Sequence, residues 1–265
     1  MPENLPFTIG ADPEFAIRRS GHHVDASSIF RYAGGYLGTD VPTTGEVRPG
    51  IACNPDELVA KLYECFYKKK DELDKNLTFH AGHFFDGLPL GGHLQVGKFD
   101  MSTGATQYAL YFALEFFLME CLSELIDDKE SYIKRSTLTS YGAKTHNGKE
   151  IIGERVYRAI EGKGHGGFEY RTPGSWLISP PVAYANITLF CLALLMFKKH
   201  GINCYKLLPN PKEMTDDQRV SHISNIGDLV DIPDCCKNGF EFTNLLIQER
   251  ESIDWNTNFR EEWKV

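Results

Sequence analysis

Four short segments of the chain repeat one pattern, in which two polar residues spaced two positions apart alternate with mostly apolar neighbours. The segments are "DPEF" at 12–15, "GEVRP" at 45–49, "GGHLQVG" at 91–97 and "FEYRTP" at 168–173. Successive side chains of a β-strand point to opposite faces of the sheet. The pattern therefore predicts four strands, each with one polar and one apolar face.

If the four strands lie side by side in one sheet, their polar residues converge on a single face. The acidic and imidazole groups that would meet there are Glu14, Glu46, His93 and Glu169, with Arg48 and Arg171 beside them. Clustered carboxylates repel one another, and burial makes each charge more costly, so such a face favours bound cations. Oxygen ligands with a single histidine suit Mg²⁺ or Mn²⁺ better than Zn²⁺. Each pair taken alone also fits a solvated strand face or a structural histidine.

Arginines next to carboxylates and a metal point to phosphate, which the guanidinium group binds bidentately. Metal, arginine and phosphate together indicate phosphoryl transfer from a nucleotide. The common nucleotide motifs do not account for this chain, because it contains no GxxxxGK[ST] sequence. The run "GKGHGG" at 162–167 matches GxGxxG, but it precedes a predicted strand and opens no helix, so the dinucleotide interpretation fails.

The segment 134–165 is basic within an acidic chain. It contains seven Lys and Arg residues against three Glu, whereas the whole chain has a formal net charge of −8. A basic, glycine-containing segment predicts an anion-binding loop, here a lid over phosphates, and the alternative is a solvated loop. The negative total argues against nucleic acid as a partner.

Local signals predict an α+β protein in the cytoplasm. Residues 5–19 read as a strand interrupted at Pro13, Asn54 caps a helix that begins at Pro55, and a second helix covers about 107–126. The apolar run 182–197 is shorter than the roughly 20 residues of a membrane span, so it predicts a buried helix. The chain has seven cysteines without CxxC spacing, and its first residues show no secretory signal. We therefore expect reduced thiols in a cytoplasmic protein.

The motif series "GADPEF", "EVRP", "GGHLQVG" and "FEYRTPGSW" resembles that of phage phiEco32-like type 2 COOH–NH2 ligases. That family is related to glutamine synthetase and glutamate–cysteine ligase. The resemblance implies a glutamine synthetase-like catalytic domain, a curved antiparallel half-barrel sheet with helices packed outside. It implies one ligase domain over 1–265, whose motifs cover about 8–180 and whose residues 205–265 form a C-terminal extension of unknown role. For a phage-encoded chain the compartment is the host cytoplasm.

The resemblance also implies a reaction, in which ATP phosphorylates a carboxylate and an amine then displaces phosphate to form an amide. The metal-binding acids of the family fall on Glu14, Glu46 and Glu169, and its metal or phosphate histidine on His93. Its phosphate-binding arginine falls on Arg171, and an upstream arginine on Arg158, with Arg155 as the other choice. Arg48 and Gln95 complete the implied nucleotide site, and Gln95 stands where the family has a second histidine. Asp12 and Asp40 are candidates to accept the amine proton.

Two other functions remain open from the sequence. A metal-dependent phosphotransferase would release ADP without needing an amine, and a binding protein on a degenerate ligase fold would not turn over. The expected partners of the ligase are ATP, Mg²⁺ or Mn²⁺, a carboxylate substrate and an amine substrate. Those substrates range from small molecules to peptides and proteins. No membrane partner is expected, and the chain could form a homo-oligomer.

Overall fold

The computed structural model describes most of the chain, with gaps. The long described ranges are 4–30, 35–39, 41–100, 104–119, 166–207 and 214–264. Between 120 and 165 it describes only 122, 130–131, 134, 145–146, 149–150 and 160–163.

The described residues contain twelve strands. In chain order these are Thr8–Arg19 (β1), His22–His23 (β2), Leu37–Gly38 (β3), Gly45–Val47 (β4), Leu77–His80 (β5), Phe84–Phe85 (β6), Leu88–Pro89 (β7), Gly92–Gly97 (β8), Thr145–His146 (β9), Lys149–Glu150 (β10), Ile160–Lys163 (β11) and Gly167–Tyr170 (β12). Two hairpins, β6 with β7 and β9 with β10, stand apart from the main sheet.

The main sheet is open and antiparallel, with the strand order β11-β12-β8-β1-β4-β3, while β2 and β5 pair with the far end of β1. The four motif strands β12, β8, β1 and β4 are therefore consecutive neighbours, which confirms that they lie side by side. The long strand β1 makes this possible, because its residues 8–13 pair with β8 and its residues 14–15 pair with β4.

The prediction that β1 is interrupted at Pro13 is wrong. Pro13 lies within the strand, opposite Gly92 of β8. Proline has no N–H to donate to a ladder, so it is tolerated only where no donor is needed. Here the ladder continues beyond it through Glu14, whose N–H donates to the Gly91 carbonyl, and the Gly92 N–H donates to Pro173 instead.

Seven α-helices have bounds within the described residues. These are Pro55–Tyr67 (α1), Gly104–Leu114 (α2), Pro180–His200 (α3), Asp216–Ser224 (α4), Ile226–Leu229 (α5), Asp234–Glu249 (α6) and Phe259–Glu262 (α7). The cap predicted for α1 is confirmed, because the Asn54 side chain accepts the Glu57 N–H at 2.9 Å. Helix α2 begins before the expected position and continues as a π-helical turn over Glu115–Met119.

Helix α3 forms the centre of the helical layer. By length and composition the helix Pro180–Cys204 could cross a membrane, yet 83% of its most apolar window is buried inside the protein. It packs against α1, α2 and α6. At the α6 contact Gly239 has no side chain, and a Cβ there would collide with the Thr188 hydroxyl. The two helices approach closely because residue 239 is glycine.

The C-terminal segment belongs to the same core. The Trp263 indole N–H donates to the Leu177 carbonyl at 2.7 Å, and the Arg260 guanidinium donates to the Leu77 carbonyl at 2.8 Å. The Phe259 ring is fully buried and contacts Phe66 of α1. These contacts tie α7 to the end of the sheet and to α1.

We expect the buried His80 to make folding stability depend on pH. Burial lowers its pKa from 6.5 to about 4, with a further contribution from the nearby Arg18 charge. Below pH 6.5 the unfolded chain binds this proton while the folded chain does not, so the free energy of unfolding falls as pH drops toward 4. The slope from this group is at most about 1.4 kcal/mol per pH unit.

Urea unfolding of the wild type and of His80→Gln between pH 7 and pH 4.5 measures this contribution. The free energy of unfolding should fall less between pH 7 and pH 4.5 in the variant than in the wild type. Parallel pH profiles for the two proteins would contradict the assignment.

Candidate functional site

The register of the sheet brings the polar side chains of the four motifs to one face. Directly opposite one another across neighbouring strands are Asp12 and His93, Glu14 and Glu46, and Glu169 and Gln95. On one face of an antiparallel pair, opposite side chains are about 5 Å apart at Cβ. The polar face is thus one continuous surface that crosses β12, β8, β1 and β4.

Asp12, His93 and Glu169 form the tightest cluster on this face. Their ligand atoms all lie within 4.8 Å of one another. The His93 Nδ1 is 3.3 Å from Glu169 Oε1 and 3.6 Å from Asp12 Oδ1. His93 and Glu169 are almost fully buried, and two carboxylates with one imidazole are a donor set that fits a hard divalent cation. The residues present therefore suit a Mg²⁺ or Mn²⁺ ion.

Glu14 and Glu46 form a second acidic pair next to this cluster. Both are buried, and Glu14 Oε2 accepts the Gly91 N–H at 2.6 Å. The Glu46 carboxylate forms an ion pair with Arg48. Because Glu14 lies two residues from Asp12 on the same strand, the two acidic groups are adjacent on one face.

The arginines lie at the two sides of the acidic face. Arg171 Nε is 3.6 Å from Glu169 Oε1 on the β12 side, and Arg48 contacts Glu46 on the β4 side. Each arginine side chain is about one third exposed. Both guanidinium groups can therefore meet a bound anion while they remain against the carboxylates.

The structure groups the predicted residues differently from the sequence pattern. From the sequence, one metal-binding set is predicted, Glu14, Glu46, His93 and Glu169, and Asp12 is predicted only as a proton acceptor. In the fold, His93 and Glu169 meet Asp12, while Glu14 meets Glu46. The strand pattern already placed Asp12 on the same face as Glu14, but its pairing with His93 depends on the register between β1 and β8.

Several predicted residues lie outside the described ranges. These are Arg155 and Arg158, the candidate phosphate-binding arginines, and Asp40, a candidate proton acceptor. Most of the predicted lid, 134–165, also lies outside them. Their roles stay predictions.

Gly38 leaves room for the side chain of Arg48, the residue that directly follows β4. Gly38 lies opposite Glu46 on β3, and a Cβ added there would collide with Arg48 Nη1. We expect Gly38→Ala to keep the fold, because a flexible side chain can move aside, and to displace the guanidinium from the site.

We expect Arg48→Ala to weaken ATP binding, because Arg48 is predicted to contact the nucleotide phosphates, and Gly38→Ala should weaken it in the same direction. Gly227→Ala is a control for the loss of a glycine, because a Cβ at Gly227 would only make ordinary contact with Ile232 at 3.8 Å. Calorimetric titration with ATP and Mg²⁺ compares the three variants. Wild-type affinity in Gly38→Ala together with a defect in Arg48→Ala would contradict this role.

A buried hydrogen bond links β12 to the helical layer, on the side of the sheet opposite the polar face. Tyr170 points away from the polar face, and its hydroxyl donates to Glu115 Oε1 at 2.7 Å. Burial, and then the Glu115 charge, hold the pKa of Tyr170 well above its usual value. This pair could not be predicted from the sequence, because Glu115 lies in an apolar helix far from the motifs.

We expect Tyr170→Phe to lower the free energy of unfolding by about 1–3 kcal/mol, because a buried carboxylate loses a hydrogen-bond donor. Tyr108→Phe on α2 is the matched control, since Tyr108 is 41% exposed. Denaturant unfolding of both variants measures the difference. Equal free energies of unfolding for Tyr170→Phe and Tyr108→Phe would show that the hydrogen bond makes no net contribution to stability.

Comparisons with known proteins agree with this architecture. The family model of phage phiEco32-like COOH–NH2 ligase, type 2, matches residues 9–265. No curated protein matches the sequence.

Solved structures share the fold at low sequence identity. Glutamate–cysteine ligase from Francisella tularensis, in complex with AMP, has a TM-score of 0.55 and 10% identity over 96% of this chain and 84% of its own. The ligase PafA, in its complex with the prokaryotic ubiquitin-like protein Pup, has a TM-score of 0.52 and 8% identity over 94% and 67%. A bifunctional glutathione synthetase from Pasteurella multocida has a TM-score of 0.50 and 10% identity, and this chain spans 51% of its length.

The expected fold class is confirmed by these structures and by the open antiparallel sheet with its helical layer. Since the family model covers nearly the whole sequence, this chain belongs to the phage phiEco32-like COOH–NH2 ligase type 2 family.

Proposed function

We propose that this protein is an ATP-dependent carboxylate–amine ligase that forms an amide through an acyl phosphate. The observation that carries the proposal is the cluster of Asp12, His93 and Glu169 beside Arg171 on the polar sheet face. Membership of a carboxylate–amine ligase family supports the reaction class. The AMP bound to the glutamate–cysteine ligase of similar fold supports an adenine nucleotide.

The carboxylates and His93 would hold Mg²⁺ or Mn²⁺ at the two acidic groups, Asp12–His93–Glu169 and Glu14–Glu46. A divalent cation at such a site neutralises phosphate charge and orients the phosphates for transfer. Arg171 and Arg48 then bind phosphate oxygens from the two sides of the acidic face. The guanidinium groups stabilise charge that develops on the transferring phosphoryl group.

The proposed reaction has two steps. A substrate carboxylate oxygen attacks the terminal phosphorus of ATP, the bond to the bridging oxygen breaks, and ADP leaves. The amine nitrogen then attacks the carbonyl carbon of the acyl phosphate, and inorganic phosphate leaves as the amide forms. The attacking amine gives up a proton, which a carboxylate of the polar face or Asp40 accepts.

The proposed substrates span a wide size range. PafA acts in a complex with a protein, Pup, whereas glutamate–cysteine ligase is named for two amino acids. The two arginines beside the acidic face are each about one third exposed, which is compatible with either size of carboxylate. The amine and the carboxylate are therefore tested as free amino acids, peptides and proteins.

The deciding experiment uses purified protein with ATP, Mg²⁺ and a panel of carboxylates carrying ¹⁸O in the carboxyl group. An acyl phosphate transfers one labelled oxygen to the released phosphate, so mass spectrometry of phosphate reports the mechanism. Amine-dependent ADP release with labelled phosphate and a new amide is the expected result. A phosphorylated product formed without amine would instead favour a phosphotransferase, and absence of nucleotide binding would favour a non-catalytic binding protein.

A further inference from the structure

Gln95 lies inside the acidic face without being one of its charged groups. It is on β8 between Gly10 of β1 and Glu169 of β12, and it lies diagonally across from Asp12. Its Nε2 donates to Asp12 Oδ2 at 2.8 Å. An amide nitrogen can only donate, so this contact fixes which end of the Gln95 amide faces Asp12.

The other end of the amide lies on the side of Gly10. A Cβ added at Gly10 would lie 3.5 Å from Gln95 Oε1 and 3.6 Å from Gln95 Cβ. Both distances are ordinary van der Waals contacts, so the amide oxygen lies next to Gly10 while the amide nitrogen faces Asp12.

The Gln95 contact makes the two oxygens of Asp12 inequivalent. Oδ2 accepts the amide N–H, while Oδ1 faces the ring of His93 at 3.6 Å from Nδ1. Asp12 is thus presented to the cluster through one oxygen. A carboxylate held in this way by a neighbouring donor has a fixed orientation before any ion binds.

We propose that Gln95 is a positioning residue that sets the geometry and the metal preference of the Asp12–His93–Glu169 cluster. Its side chain donates a hydrogen bond to Asp12. Its neutral amide also occupies the position from which the imidazole of a histidine at residue 95 would reach the cluster. The site keeps two carboxylates and one nitrogen ligand, a set that favours Mg²⁺ or Mn²⁺ over Zn²⁺. This inference rests on the proposed metal-dependent function.

The test measures metal binding and needs no turnover. Calorimetry of the purified full chain with MnCl₂ alone, and separately with ZnCl₂ alone, compares wild type, Gln95→Met and Gln95→His. Gln95→Met keeps the side-chain volume but removes the donor, and it should weaken Mn²⁺ binding by about 10–100-fold. Gln95→His supplies a second nitrogen ligand and should shift the ratio of Zn²⁺ to Mn²⁺ affinity toward Zn²⁺ by about tenfold or more.

Gln248→Met is the matched control, because Gln248 is an exposed residue of α6 remote from the motif strands. Circular dichroism verifies that each variant is folded, and Gln95→His carries the test if Gln95→Met does not fold. Unchanged Mn²⁺ affinity in a folded Gln95→Met, or an unchanged Zn²⁺ to Mn²⁺ ratio in Gln95→His, would overturn the inference. A wild type that binds no Mn²⁺ would overturn the proposed metal-dependent function as well.

Discussion

Replacing Glu169 by glutamine is expected to weaken Mg²⁺-dependent ATP binding by more than about 100-fold. Loss of a residue that only supports a metal ligand already costs about 10–100-fold, and a residue that itself offers a ligand oxygen should matter more. Glu169 lies 3.3 Å from His93 Nδ1 and 3.6 Å from Arg171 Nε, so its charge stands at the centre of the cluster. The amide keeps the shape but removes the negative charge.

Calorimetric titration with ATP at saturating Mg²⁺ measures this change. Glu241→Gln is the matched control, because Glu241 is exposed on α6 and the substitution removes the same charge. The control should bind like wild type. Equal ATP affinity in Glu169→Gln and wild type would show that the cluster does not carry the nucleotide site.

The second large effect concerns Arg171→Lys, which should lower turnover by about 10²–10³, equivalent to roughly 3–4 kcal/mol of transition-state stabilisation. Lysine keeps the charge but not the planar fork that donates two parallel hydrogen bonds to phosphate. Charge on the transferring group is greatest in the transition state, so turnover should fall more than ATP affinity. The fold should be retained, because the Arg171 side chain is already one third exposed.

The measurement is amine-dependent ADP release, with ATP affinity determined in parallel. Arg19→Lys makes the same change at the far end of β1, where Arg19 forms an exposed ion pair with Asp74. Arg19→Lys should leave the turnover and the ATP affinity unchanged. A folded Arg171→Lys with wild-type turnover would mean that the arginine is only the ion-pair partner of the buried Glu169.

The local features of the fold could be predicted from the sequence because they depend on neighbouring residues. Alternation along a strand places Glu169 and Arg171 on one face and Tyr170 on the other, and the structure has this arrangement. The Asn54 cap and the proline at the start of α1 depend on backbone groups within one turn, and both are present. The same local rules predicted an interruption at Pro13 that is absent, because the strand continues through hydrogen bonds between residues far apart in sequence, such as that from Glu14 to Gly91.

The tertiary structure alone decided which polar groups meet. The pairing of Asp12 with His93, and of Glu14 with Glu46, follows from the register between strands that are far apart in sequence. Gln95 reaches Asp12 across 83 residues, and Tyr170 reaches Glu115 across 55. The sequence determined which faces are polar, since side-chain direction is a property of a single strand. The sequence did not determine which polar groups pair across neighbouring strands, because register is fixed by packing over the whole sheet.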